Sequence, residues 1–283
     1  MTTIATPISP RRPAAAEGRL RWFIKDVIVL ARRSLARIRR EPETLSDVTI
    51  QPLIFVLLFA YVFGGAIHIP GGGSYNEYLI GGMLGMGLAA TANGTAVALV
   101  SDMSTGIIDR FRSLPMSRAA VLTGRTAADL LTQVLGTLVV AATGLAIGWR
   151  IHAPIGHVLA AFGLALLFGY AFTWLGVCAG MLLRSPEAAQ QTGFIFFLPL
   201  TFISNAFVPS QGMPSWLQPV AEWNPLSALA AASRHLFGNP NPAAAVQAWP
   251  MQHPELAVLL WSGALIAVFA PLAVRLYRRK SLG

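Results

Sequence analysis

Long stretches without a single Asp, Glu, Lys or Arg dominate this 283-residue chain. Six of them approach or exceed the roughly 20 residues that a helix needs to cross the hydrocarbon of a bilayer. They are Val48–Ile69, Leu79–Val100, Leu130–Gly148, Val158–Leu183, Thr192–Val208 and Leu256–Val274. Inside a bilayer the backbone must satisfy its own hydrogen bonds, which leaves helices or a closed barrel. Barrel strands alternate apolar and polar residues, whereas these runs are continuously apolar, so helices follow. Charged residues make up 12% of the chain, against about 25% in an ordinary soluble domain. The fold class expected is therefore an all-α integral membrane protein with six transmembrane helices. The fifth run is the shortest and ends at Pro209, so distortion is expected there.

The basic residues sit at the ends of these runs. With six spans both termini share one side, which holds residues 1–47 with ten Lys or Arg, 101–125 with four, 184–191 with one and 275–283 with four. The opposite side holds only Arg150 and Arg234. The positive-inside bias then makes both termini cytoplasmic, and the location expected for the chain is a bacterial plasma (inner) membrane. The same placement explains the net charge of +9 without a nucleic-acid partner, because the charge flanks lipid rather than forming a groove.

Residues 1–19 are polar and proline-containing and read as a disordered cytoplasmic tail, not a cleavable signal peptide, since no sustained apolar run follows before residue 48. Over 20–41 the pattern changes. Leu20, Ile24, Val27, Ala31, Leu35 and Ile38 recur at helical spacing, with Arg21, Lys25, Arg32 and Arg39 opposite, until Pro42. That is an amphipathic helix lying in the membrane surface, either an orienting anchor or a brace for a cytoplasmic partner. The tail 275–283 returns to the cytoplasm. Between spans five and six, residues 209–254 carry eight prolines, so one long helix is impossible there. The apolar pieces Trp216–Val220 and Leu226–Phe237, with Trp216, Trp223 and Trp249, read as short re-entrant helices dipping into the outer leaflet.

Missing motifs narrow the function. The chain has no G-x-x-x-x-G-K-[ST] phosphate loop, no H-E-x-x-H and no G-x-S-x-G, so no catalytic residues and no bound cofactor are expected of it. Cys178 stands alone and reads as a packing residue, and the five histidines fall near span ends or in outer loops, so no metal site is expected. No carboxylate lies in the middle of a span, where an ion-coupled carrier commonly needs one. Asp129, at the edge of span three, comes nearest and lies one helical turn after Arg125.

The cytoplasmic segment 101–118, S-D-M-S-T-G-I-I-D-R-F-R-S-L-P-M-S-R, is the clearest candidate interaction site. Ser104 and Thr105 can cap a short helix. Ile107, Ile108, Phe111 and Leu114 give it an apolar face, Asp109, Arg110, Arg112 and Ser113 a polar one, and Pro115 ends it. An inside loop needs charge for orientation but not this apolar face, so a docking knob for a soluble partner fits better than a plain solvated loop.

Here the chain resembles the ABC-2 type permeases, most closely those of the daunorubicin-resistance export type. The resemblance rests on G-I-I-D-R-F-R-S-L-P at Gly106–Pro115, P-L-T-F-I-S-N-A-F-V at Pro199–Val208, M-P-S-W-L-Q-P at Met213–Pro219 and N-P-L-S at Asn224–Ser227. L-L-R-S-P-E at Leu182–Glu187 falls where that family has a short cytoplasmic turn. It covers nearly everything beyond about residue 30. What it implies is a permease that pairs with a second copy or paralogue and docks two separate ATPase subunits, which hold the ATP and Mg. It assigns ATPase coupling to Ile107–Pro115 and, more loosely, to Arg32–Glu43. It also implies that the outer Pro/Trp-rich region closes the extracellular side. The cargo it points to is a hydrophobic or amphipathic drug or lipid, although other branches of the family move polysaccharide or glycolipid.

Pathway residues are less sharply marked. Met83 and Met86 offer adaptable apolar surface, and Asn93, Gln133 and Asn205 are amides in apolar runs that need partners. Plain packing is the simpler account of the same residues, and Gly81, Gly82, Gly85, Gly87 and Gly94 fit close helix approach. A membrane enzyme would need a polar constellation within the spans, and an ion-coupled carrier would transport without ATP.

Overall fold

The computed structural model describes residues 42–104 and 118–280, and all regular elements in them are helical. Helix α1, Pro42–Leu58, tolerates Pro52 in its interior and runs into a wider turn at Phe59–Phe63. Three consecutive glycines, Gly71, Gly72 and Gly73, take positive φ in the loop before α2 at Tyr75–Ser104. Then come α3 at Arg118–Ala146, α4 at Ile155–Leu182 and α5 at Pro186–Phe202. Short helices α6 at Gln218–Glu222, α7 at Pro225–Phe237 and α8 at Trp249–Gln252 precede α9 at Pro254–Lys280.

Among the described residues, four helices have the length and apolarity to cross a membrane: Tyr75–Ser104, Asp129–Ala146, Ile155–Leu182 and Pro254–Tyr277. They coincide with expected spans two, three, four and six. Thr49–Phe63 is a shorter apolar helix. The expected first span, Val48–Ile69, therefore loses its last turns, because the helix stops before Gly64 and Gly65. The fifth, Thr192–Val208, also stops early, at Phe202. Its N-terminus, by contrast, is locally determined: Ser185 Oγ accepts from Ala188 N at 3.2 Å, and Pro186 follows in the first turn, where a missing N–H costs nothing.

Helix α2, about 45 Å long at 1.5 Å per residue, is the axis of the bundle, packed against α3, α4, α5 and α7. Small residues allow this crowding. A Cβ on Gly176 of α4 would sit 2.1 Å from Ala92 O, and one on Gly180 2.9 Å from Ala96 O, so α2 and α4 meet backbone to backbone. Helix α9 covers the other side of α4, where the Cys178 thiol donates to Phe269 O at 3.2 Å in a packing role. Aliphatic residues, among them Leu138, Leu159, Leu260 and Val268, are left exposed on the outside of the bundle.

A buried arginine and the candidate site residues

The chain from α5 to α7 is held by the motifs that the sequence singled out. Asn224 caps α7: its side-chain oxygen accepts from Leu226 N at 2.9 Å, and its Nδ2 reaches back to Leu200 O at 2.7 Å. Pro225 takes the first helical position, and Ser227 Oγ accepts from Asn205 N at 2.9 Å. The stretches Pro199–Val208 and Asn224–Ser227 thus form one unit. At the other end of α7, Gly238 at φ +70° makes a left-handed cap, and His152 N donates to Phe237 O at 2.9 Å. Trp149 Nε1 donates to Asn239 Oδ1 at 2.7 Å, tying the α3–α4 loop to the same corner.

At the centre lies Arg234, with 0% of its surface exposed. Its Nε donates to Tyr78 O at 2.8 Å, and its Nη2 to Asn205 O at 3.0 Å and Ala206 O at 2.9 Å. Nη1 lies 3.4 Å from Asn205 Oδ1, and Cζ stacks 3.5 Å from the centroid of the Tyr78 ring. The Tyr78 hydroxyl donates to Asn205 O. A guanidinium in an apolar core is costly unless its N–H groups find acceptors, and here oxygens accept from four of the five while the Tyr78 ring covers one face, without a carboxylate. The adjacent Gly81 and Gly82 make the space: a Cβ on the first would lie 2.8 Å from Arg234 Cγ, and on the second 2.0 Å from Ala206 O. The two backbone carbonyls that Nη2 takes belong to the irregular chain that follows the end of α5 at Phe202. From sequence, Arg234 counted only as a loop cation; its position inside the apolar piece Leu226–Phe237 was the signal available.

The expected pathway residues fall in separate places. Met83 is buried, and Met86 packs against the same cluster as Tyr78 and Phe207. Asn205 belongs to the arginine network just described. Gln133 of α3 is buried and donates from Nε2 to Thr173 Oγ1 of α4 at 2.9 Å, while its Oε1 is buried without a hydrogen-bond partner. Asn93 stands on the α2–α5 boundary, where Gly193 is glycine because a Cβ would lie 1.8 Å from Asn93 Oδ1. That oxygen too is buried and unpartnered. Among the described residues, Met83 and Met86 thus share one apolar cluster, Asn205 lies in the arginine network, and Asn93 and Gln133 lie at two different helix boundaries. Asp129 accepts from Thr95 Oγ1 at 2.9 Å, which links α3 to α2; the Arg125 side chain, expected as its neighbour, lies outside the described residues. Of the five glycines read as packing sites on α2, Gly81, Gly82 and Gly85 face α7 or the α5–α6 link, whereas a Cβ on Gly87 or Gly94 would meet nothing within 4 Å. The segment Ile107–Pro115, expected to couple to an ATPase, and the stretch 20–41, expected to be an amphipathic helix, lie outside the described residues.

Comparison with known proteins gives this arrangement a family. The profile of the ABC-2 type transporter family matches residues 25–237. A daunorubicin resistance ABC transporter permease protein, DrrB1, from Streptomyces coeruleorubidus is 33% identical over 249 residues, 88% of this chain and 84% of the relative. A probable doxorubicin resistance ABC transporter permease protein, DrrC, from Mycobacterium tuberculosis is 24% identical over 276 residues, 97% of this chain and 96% of the relative. A putative transport permease, ycf38, from Cyanophora paradoxa is 25% identical over 221 residues, 77% and 76% of the two chains.

Proposed function

This chain belongs to the ABC-2 type transporter family, and from that premise we propose that it is the permease subunit of an ATP-driven exporter in a bacterial plasma membrane. Its cargo in this reading is a hydrophobic or amphipathic drug or lipid. The observation that carries the reading is similarity along 88% of the chain to a permease named for daunorubicin resistance. The absence of a phosphate loop in the sequence supports a separate ATPase subunit in two copies, and a second permease copy or paralogue completes the complex.

In this reading the chain crosses the membrane six times. The four long helices are joined by the shorter α1 and α5, and both termini are cytoplasmic, as the basic residues favour. The N-terminal end of α2 then faces outward, and α6 and α7 form the re-entrant cover of that side. ATP draws the two ATPase subunits together, and the knob Ile107–Pro115 carries the movement into α2 and α3. Both Asn93 and Gln133 present an unpartnered oxygen at helix boundaries that would slide, and these are the places where cargo can find a hydrogen-bond acceptor.

The test is hydrolysis by the reconstituted complex of this permease with its cognate ATPase. Stimulation by hydrophobic compounds is the expected result. Transport by the permease alone, driven by an ion gradient without ATP, would overturn the reading.

A further inference from the structure

A positive charge with no carboxylate beside it, buried among neutral groups from three different parts of the chain, is an unusual way to hold a membrane protein together. Ordinary packing would have put a leucine there. The guanidinium of Arg234 joins α7, the Tyr78 carbonyl of α2 and the carbonyls of Asn205 and Ala206 in the α5–α6 link. Without it the link is held to its neighbours by few hydrogen bonds: Ser227 ties α7 to Asn205, and on α2 the Tyr78 hydroxyl donates to Asn205 O and the Tyr75 hydroxyl to Phe207 O. A neutral acceptor shell also differs from an ion pair in consequence. Carbonyls hold a guanidinium firmly, but one that moves to water or to another acceptor strands no buried negative charge, so the tie is reversible at moderate cost.

We propose that Arg234 is a latch that keeps α7 closed against α2 and the α5–α6 link, and that opening of this end of the molecule requires its release. As part of a transport cycle the latch rests on the exporter reading, in which α7 covers the outer side. As a property of the fold it stands on its geometry. Two neighbours tune it in opposite directions. Tyr78→Phe keeps the stacked ring and removes the hydroxyl bond to Asn205 O. Asn205→Asp places a carboxylate where a neutral oxygen now faces Nη1, at the loss of only the 3.5 Å contact from Nδ2 to Met251 Sδ.

Ser233 supplies the reporter. It adjoins the latch, is buried, and its hydroxyl has no hydrogen-bond partner, so Ser233→Cys replaces it with little disturbance. Cys178, buried between α4 and α9, is the internal control for global loosening. The full chain in detergent is treated with a maleimide, and labelling of each thiol is followed by mass spectrometry. The expected result is that Tyr78→Phe speeds labelling at position 233 about five-fold and Asn205→Asp slows it about ten-fold, with Cys178 unchanged. Equal changes at both thiols, or shifts in the same direction for both variants, would overturn the latch. The second arm adds the ATPase subunits and a non-hydrolysable ATP analogue, which should speed labelling at position 233 in the complex. An unchanged rate in an assembled complex overturns the gating role. Failure to assemble counts against the permease reading, while the first arm still decides the latch.

Discussion

Helices α5 and α7 are both shorter than the four long helices, yet they meet opposite surroundings. In α7 every residue from Leu226 to Phe237 except His235 is buried, including a charge. In α5 Phe194, Ile195, Phe196, Leu198 and Phe202 are each half exposed or more. The helix carrying the arginine is inside, and the helix carrying the phenylalanines is outside. In a membrane protein lipid rewards an apolar surface as well as the core does, so apolarity marks what touches lipid or a partner subunit, and specific polar bonds mark what is held in place. The difference extends to α2, whose Gly82 side is closed by Ala206 and whose Gly87 side is open.

The largest expected effect comes from filling the closed side. Gly82→Val would force a side chain into the Ala206 backbone and should destabilise the fold by about 4 kcal/mol, whereas Gly87→Val should stay within about 0.5 kcal/mol. Thermal unfolding in detergent compares the pair, and equal losses would break the contrast. Arg234→Met comes next. It leaves the acceptors around the guanidinium unsatisfied and should cost about 3 kcal/mol by the same measurement. Asn224→Ala removes the α7 cap and the bond to Leu200 O, for about 1.5 kcal/mol, read most directly as faster amide exchange in the first turn of α7. The smallest effect is expected on α5. Phe196→Ala should change the stability of the single chain by less than about 0.5 kcal/mol. A large loss in a monodisperse monomer would show that this face is packed after all.

These contrasts also separate what could be read in the sequence from what could not. Spans two, three, four and six were legible because a continuous apolar run and a long helix are nearly the same observation in a membrane. The ends of the first and fifth were not. The apolar run Val48–Ile69 continues past Gly64, but the helix does not, and the run to Val208 outlasts a helix that stops at Phe202. Apolarity reports solvent, not hydrogen bonding, and the partner for the freed Asn205 and Ala206 carbonyls lies almost thirty residues further on. Asn224 was visible as part of N-P-L-S, yet its double role as cap and tether to Leu200 depends on tertiary placement. Arg234 was tallied as a loop cation, since nothing local reveals that Gly81 and Gly82 make room for it. The amides Asn93 and Gln133 stand out in the sequence as polar groups in apolar runs, but spacing along the chain does not show that they lie at different helix boundaries.

Co-purification decides whether a separate ATPase docks on this permease through the segment after α2. The chain and its cognate ATPase subunit would be expressed together and isolated in detergent, with Phe111→Ala alongside the wild type. A stable complex is expected for the wild type and a weakened one for the variant, with both permeases present in the membrane in equal amount. No complex with the wild type, or undiminished recovery of the ATPase with Phe111→Ala, would contradict it.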